Sequence, residues 1–398
     1  MGEIFPKFIN LTINLNIYLH QFFKHYVNLF LVIVFASFTF SANAVTYYVS
    51  SSIGNDDYPG TSENEPWKSI ERINNYYKLY PGDQILFKRG DEWTGTIKVN
   101  SSGTTDKPIV FGAYGTGNKP KIYGSEKITG WTLHSGNIFK ASVATDISQL
   151  FINGIKMKVA RLTNSGYNTV TGVISQTQFT SNTLNQGLNY TGAKVLLRTE
   201  NWFSIMRTVT SSNSKTLSIN SAPAGTIKLS QGFLLMNKLE FLDSPGEWYF
   251  DAATKTVYLW TPDGDTPANY EVRGSTLKEG IVIGSNSYIT IQDLHILQQK
   301  EIGLQLASNT GVSKTDVIVQ RNSITGQEGF GIYDDSNKNQ KFTIQDNEID
   351  DCNGIGVYMW ITNSVFRDNT ITNIGVFDRL GLNGTWNDNG GSGMEISG

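Results

Sequence analysis

The chain has 398 residues, a formal net charge of −3 and only 17% charged residues, with 39 Gly, 21 Phe and 18 Tyr. That balance excludes the basic footprint of a nucleic-acid binder, and the single cysteine, Cys352, excludes an intrachain disulfide framework. Frequent Gly, Asn, Thr and aromatic residues favour an all-β chain of short strands and tight turns.

In chain order, the first feature is the apolar run LFLVIVFASFTF from Leu29 to Phe40, preceded by Lys24 and followed by Ala42-Asn43-Ala44. The run is short for a membrane span, and the small-x-small pattern suits signal peptidase, so residues 1–44 are expected to be a signal peptide. Cleavage would leave no stable membrane span and place the protein outside the cell, at its surface or in the periplasm. The apolar stretch ahead of Lys24 is long for an n-region, which points to an extended one or to a start placed too far upstream.

Residues 45–130 are expected to form an N-terminal cap and first coils. They open with a strand at Val45–Ser50, then Trp67, Ile70, Ile73 and Tyr77 recur at helical steps until Tyr80-Pro81-Gly82-Asp83 stops the pattern. The apolar face of that helix is suited to cover the open end of a solenoid. Four strand-like pieces follow at Gln84–Lys88, Thr96–Val99, Pro108–Tyr114 and Pro120–Tyr123. Residues 131–276 are expected to be an inserted β-rich module, with hairpins at Gln149–Met157 around Asn153-Gly154 and at Gly246–Trp260.

From Leu277 the sequence becomes periodic. Tyr288–Ile296, Val317–Ile324, Phe342–Ile349 and Ser364–Ile371 share an apolar-x-apolar, polar-polar, Asn-x-Ile form, with Leu294 in the Asn place of the first. Asn322, Asn347 and Asn369 are 25 and 22 residues apart, the length of one parallel β-helix coil of three short strands. A leucine-rich repeat has a similar period, but its leucine framework is missing. The asparagines are expected to form a ladder at one corner and to occupy its left-handed turn position. A strand led by glycine follows each segment, at Gly303, Gly331, Gly356 and Gly393. The last of these strands opens a coil at the end of the chain, so the chain is expected to be a fragment of a longer protein with some of its groove missing.

On these coils, and on the N-terminal block with Pro59-Gly60-Thr61, Pro66-Trp67-Lys68-Ser69-Ile70 and Pro81-Gly82-Asp83, the sequence resembles the pectate-lyase-like right-handed parallel β-helix superfamily of secreted carbohydrate-active proteins. The stretch with Ala160-Arg161-Leu162-Thr163-Asn164 and Pro245-Gly246-Glu247-Trp248-Tyr249 looks like the β-rich insertion of some β-helical glycoside hydrolases. The resemblance implies a polysaccharide or oligosaccharide partner without naming a reaction.

Aligning the glycine-led strands places Gln305, Tyr333, Tyr358 and Glu395 in one outward column, and Ala307, Asp335, Trp360 and Ser397 in the next. Aromatic faces suit sugar rings, which makes Gln305, Tyr333, Tyr358 and Trp360 the candidate substrate-binding residues. Hydrolysis needs two carboxylates, for which Asp335 and Glu395 are the candidates, with Asp378 and Arg379 in the neighbouring long loop. A polysaccharide lyase would need a base, Tyr358 or a Lys or Arg of depressed pKa, and a group to neutralise the uronate, for which Arg379 is the nearest candidate. A non-catalytic glycan-binding or adhesin-like role fits the same column. His295 lies on a different strand and is expected at the surface. The loop acids Asp56, Asp57 and Asp83 would suit Ca²⁺ chemically, yet no calcium motif is present and turn capping is the expected role. Cys352, in an Asn/Asp/Gly-rich turn, is expected to fill space. The expected state is a monomer.

Overall fold

The computed structural model describes residues 44–398 apart from 77, 201–202, 308–314, 377–381, 383–391 and 398. The leader expected over residues 1–44 thus lies outside the described residues but for its last one.

Three parallel sheets wind through the chain as a parallel β-helix. The first contains Thr46–Val49, Gln84–Lys88, Ile109–Tyr114, Ile289–Gln292, Val317–Gln320, Thr343–Gln345 and Val365–Arg367. The second contains Glu92–Thr94, Lys121–Tyr123, His295–Leu297, Ser323–Thr325, Glu348–Asp350 and Thr370–Thr372. The third contains Ile97–Lys98, Glu279–Val282, Ile302–Ala307, Phe330–Gln340, Ile355–Thr362 and Ser392–Ser397. Glu92–Thr94 is a strand that the sequence pattern did not reveal.

Alternation within each short strand sends every second side chain inward, and register stacks like on like. Ile291, Val319, Ile344 and Phe366 pair in succession in the first sheet. Ile122, Ile296, Ile324, Ile349 and Ile371 do so in the second. Ile281, Leu304, Ile332, Val357 and Met394 line the third. Most of these residues belong to one continuous core, and full burial of each is worth about 1.5–3 kcal/mol.

The corner between the first and second sheets carries the asparagine ladder. Asn322 Nδ2 donates to Ile291 O at 3.0 Å and to Asn347 Oδ1 at 3.1 Å. Asn347 Nδ2 in turn donates to Val319 O and to Asn369 Oδ1, both at 2.9 Å. The asparagines do not take the left-handed position themselves. That conformation falls on the preceding residue of each coil, Asp293, Arg321, Asp346 and Asp368, at φ 60°, 55°, 55° and 55°. The reason is geometric: the left-handed residue turns the chain and leaves the next side chain pointing inward, where its amide reaches two coils.

A second internal ladder runs at the next corner. Gln327 Nε2 donates to Gln299 Oε1 at 2.7 Å, and Cys352 Sγ donates to Gln327 Oε1 at 3.5 Å. Cys352 is fully buried and burial pushes its thiol up to about 12, so it is an interior residue of this ladder.

The expected helix is shorter than the apolar spacing suggested. It spans only Ile70–Asn74 (α1), capped by Ser69, whose side chain accepts from Arg72 N. Trp67 lies ahead of that cap in an extended bridge with Val49, so its place in the spacing comes from burial rather than from helix. Ile70 and Ile73 pack into the β-helix core.

Between Lys121–Tyr123 and Glu279–Val282 of a single coil, the chain leaves the solenoid and forms antiparallel sheets. Exit and return pair with each other, Ser125 opposite Ser275 and Lys127 opposite Arg273. The hairpin Leu150–Ile152 and Ile155–Lys156 closes on Asn153 and Gly154, at φ 49° and 83°, as a two-residue turn of the primed kind demands. Buried polar contacts tie this segment to the coils: Lys156 Nζ donates to Asp351 O at 2.9 Å and Asn353 Oδ1 at 3.0 Å, and Gln149 Nε2 to Gly326 O at 3.1 Å.

Candidate functional site

The outer face of the third sheet begins with its register. Val282, Gln305, Tyr333, Tyr358 and Glu395 are successive cross-strand partners. Gln305, Tyr333 and Tyr358 are half-buried and Glu395 is exposed. Because like positions of adjacent coils sit about 4.8 Å apart, the rings have to stack. Tyr333 and Tyr358 do so with centroids 5.4 Å apart and planes at 17°. Phe330 packs against both, at 4.7 Å and 5.8 Å, and closes a small apolar cluster with Ile302 and Ile355 outside the main core. Trp360, 40% exposed, donates its Nε1–H to the Tyr358 hydroxyl at 2.9 Å. The result is an aromatic platform with an accessible indole at one edge. Phe330 was missed in the sequence because it precedes the glycine that marks the strand.

The second column is displaced from its sequence alignment. Ala307 and Met359 both pair with Asp334, and the next pairing joins Asn339 to Ile361, so residues 335–338 bulge out of the ladder. Asp335 therefore does not stand opposite Trp360, whose partner is Ser397. Asp335 instead faces back to Tyr333, whose hydroxyl donates to it; burial first and this carboxylate second push the Tyr333 hydroxyl upward. Asp334 is fully buried, with its Oδ1 accepting from Ser336 N at 3.2 Å. Such a bulge re-aims side chains at the edge of a groove. Asp378 and Arg379 lie outside the described residues.

The remaining acids and the histidine have other employment. Asp56 accepts from Lys68 N, Ser69 N and Ser69 Oγ, and buried Asp83 from Val45 N and Tyr80 N. Among the described residues, no group of three His, Cys, Asp or Glu side chains converges as a metal site. His295 is not simply at the surface. It is half-buried on the second sheet with Nε2 2.8 Å from Thr325 Oγ1. Burial, then the charges of Lys121 and Lys119, lower its pKa to about 4.

This architecture agrees with known proteins. Residues 268–398 match the family model for a right-handed β-helix region. A solved structure described as a glycoside hydrolase superposes with a TM-score of 0.64 at 17% identity, covering 79% of this chain and 67% of the other. The complex of XylC with xylose gives a TM-score of 0.49 at 14% identity, over 88% of this chain and 56% of that one. The protein has the fold of the right-handed parallel β-helix superfamily. A lacto-N-biosidase from Bifidobacterium longum subsp. longum is 41% identical over 87 residues, which is 21% of this chain and 5% of that enzyme.

Proposed function

We propose that this chain is a secreted or cell-surface glycoside hydrolase acting on a glycan seated along the third sheet. The observation that carries the reading is the in-register column Tyr333, Tyr358 and Glu395 beside Asp335. The aromatic faces would pack on the C–H faces of sugar rings while carboxylates engage hydroxyls and the scissile bond. The strands bearing Asp335 and Glu395 are two spacings apart, about 10 Å, close to the roughly 6.5–9.5 Å that separates acid and base in inverting glycosidases. Asp335, tied to Tyr333, is the candidate base, and exposed Glu395 the candidate acid. The stretch 41% identical to a lacto-N-biosidase supports a hydrolase over a lyase, and makes lacto-N-biosides the first substrates to try.

The test is a panel of lacto-N-biosides and plant and microbial polysaccharides, followed by reducing-sugar release and by absorbance of unsaturated uronate. Reducing sugar without uronate absorbance is expected, and Asp335→Asn or Glu395→Gln should lower kcat by about 10²–10⁴-fold. Tyr358→Ala and Trp360→Ala should cost about threefold to tenfold in kcat/KM. Uronate absorbance would identify a lyase, and binding without product a glycan-binding protein; either would overturn the hydrolase.

A further inference from the structure

A cleft of about 520 Å³ opens over the outer face of the second sheet, away from the aromatic platform. Its floor is set by register: Glu92, Lys121 and His295 follow one another in one outward column, and Tyr123, Leu297, Thr325 and Asp350 in the next. Its wall is the inserted hairpin at Phe151, Asn153 and Gly154, with Glu271 behind. The strands from Glu92 to Asp350 cover four spacings, about 19 Å, a trough too long for a lone ion.

The polar groups define what could lie in it. Lys121 is the basic residue of the lining, and Glu92 already holds it at 2.7 Å. The other charged groups there, Glu271, Asp350 and Asp351, are carboxylates. Among the described residues of the lining, an anionic glycan would find no uncommitted cation and several like charges. Hydroxyl donors, in contrast, would find carboxylate oxygens with lone pairs to spare, although Asp350 already accepts from Thr372 and Asn373 and Glu271 and Asp351 already face Lys127 and Lys156. One donor is also waiting: Gln298, only 3% exposed, lines the cleft. Its Oε1 accepts from Ser125 Oγ, while its Nε2 donates to no group among the described residues. The side chain is thus almost wholly enclosed while its amide nitrogen is left open to the cleft it lines, placed to donate to a group that enters there.

We propose that this cleft is a second carbohydrate site, distinct from the third-sheet face, that takes a short uncharged oligosaccharide with Gln298 Nε2 donating to a sugar oxygen. Calorimetric titration of the full chain tests it, with cellotetraose, xylotetraose, chitotetraose and lacto-N-tetraose as neutral probes and tetragalacturonate as the anionic one. At least one neutral tetrasaccharide should bind and tetragalacturonate should not. Gln298→Leu, and Thr325→Trp, which fills the cleft from its outer face, should each weaken that binding at least tenfold. The Tyr358→Ala, Trp360→Ala double variant should leave it within twofold. Failure of every neutral probe overturns the proposal. So does equal affinity for tetragalacturonate, or loss of binding in the double variant with retention in Thr325→Trp. Circular dichroism confirms that each variant is folded. The readout is binding, so a chain that hydrolyses nothing leaves this result standing and counts only against the hydrolase.

Discussion

At the scale of single residues, buried Glu247 and half-buried His295 pull stability in opposite directions between pH 4 and 7. His295 has its pKa lowered to about 4, so the unfolded chain takes up its proton first as pH falls from the ordinary 6.5. Stability due to His295 is complete above that value and is lost as pH falls toward 4. Glu247, 2% exposed, is pushed up to about 7 by burial and by the carboxylate of Asp243. The unfolded chain releases that proton first, so stability due to Glu247 is present below about 4.5 and is lost as pH rises toward 7. Each slope is at most about 1.4 kcal/mol per pH unit, and over pH 4.5–6.5 the two offset each other. His295→Gln should therefore unmask a melting temperature that falls with pH across that window, and Glu247→Gln one that rises. Parallel, flat profiles in both variants would contradict the assignment. The asparagine ladder was legible at this scale because three coils repeat it, whereas the left-handed position was not. Three of the four residues there, Asp293, Asp346 and Asp368, are aspartates, which tolerate that conformation, but each stands beside an Asn or Leu in the repeat and Arg321 breaks the series.

At the scale of elements, the glycine-led strands show why that residue recurs. A Cβ on Gly303 would lie 2.7 Å from Ile324 Cγ2 and 2.8 Å from Gly331 O, and one on Gly331 2.5 Å from Gly356 O. The isoleucine column of the second sheet occupies the space that a side chain would need. Gly303→Ala should destabilise the protein by about 1–3 kcal/mol in a urea titration. A change within 0.3 kcal/mol would mean that the coils shift apart freely. The outward column Gln305, Tyr333, Tyr358 and Glu395 was legible from these glycines, since the strand counts the same number of residues from each. The Asp335 column was not, because the Phe330–Gln340 strand carries extra residues that no neighbouring coil shares. Phase inferred from a repeat holds only until the first bulge.

At the scale of the molecule, the periodic coils were legible because burying like side chains at a fixed spacing demands a fixed period. The cleft over the second sheet was not. Its floor comes from coils, with His295 and Thr325 25 and more residues from their cross-strand partners, and its wall from a hairpin around residue 153. Only the folded chain brings the two together. Gln298 looked unremarkable for the same reason, since what singles it out is the neighbour it lacks.

The pairing of Ser125–Lys127 with Val272–Ser275 also dictates an order of assembly. Closing the coil that holds Lys121–Tyr123 and Glu279–Val282 directly across so long an excursion would carry a loop entropy that grows as the logarithm of its length. Once the two ends of the excursion are zipped together, the remaining gap is a few residues. The later coils, which template on Glu279–Val282, must wait for that event. Pulse-labelled hydrogen exchange during refolding should find the amides of Val272–Ser275 protected no later than those of Ile302–Ala307. Protection of Ile302–Ala307 first would show that the solenoid nucleates downstream and captures the module afterwards. In kinetic terms the inserted segment is the gate through which the rest of the winding passes.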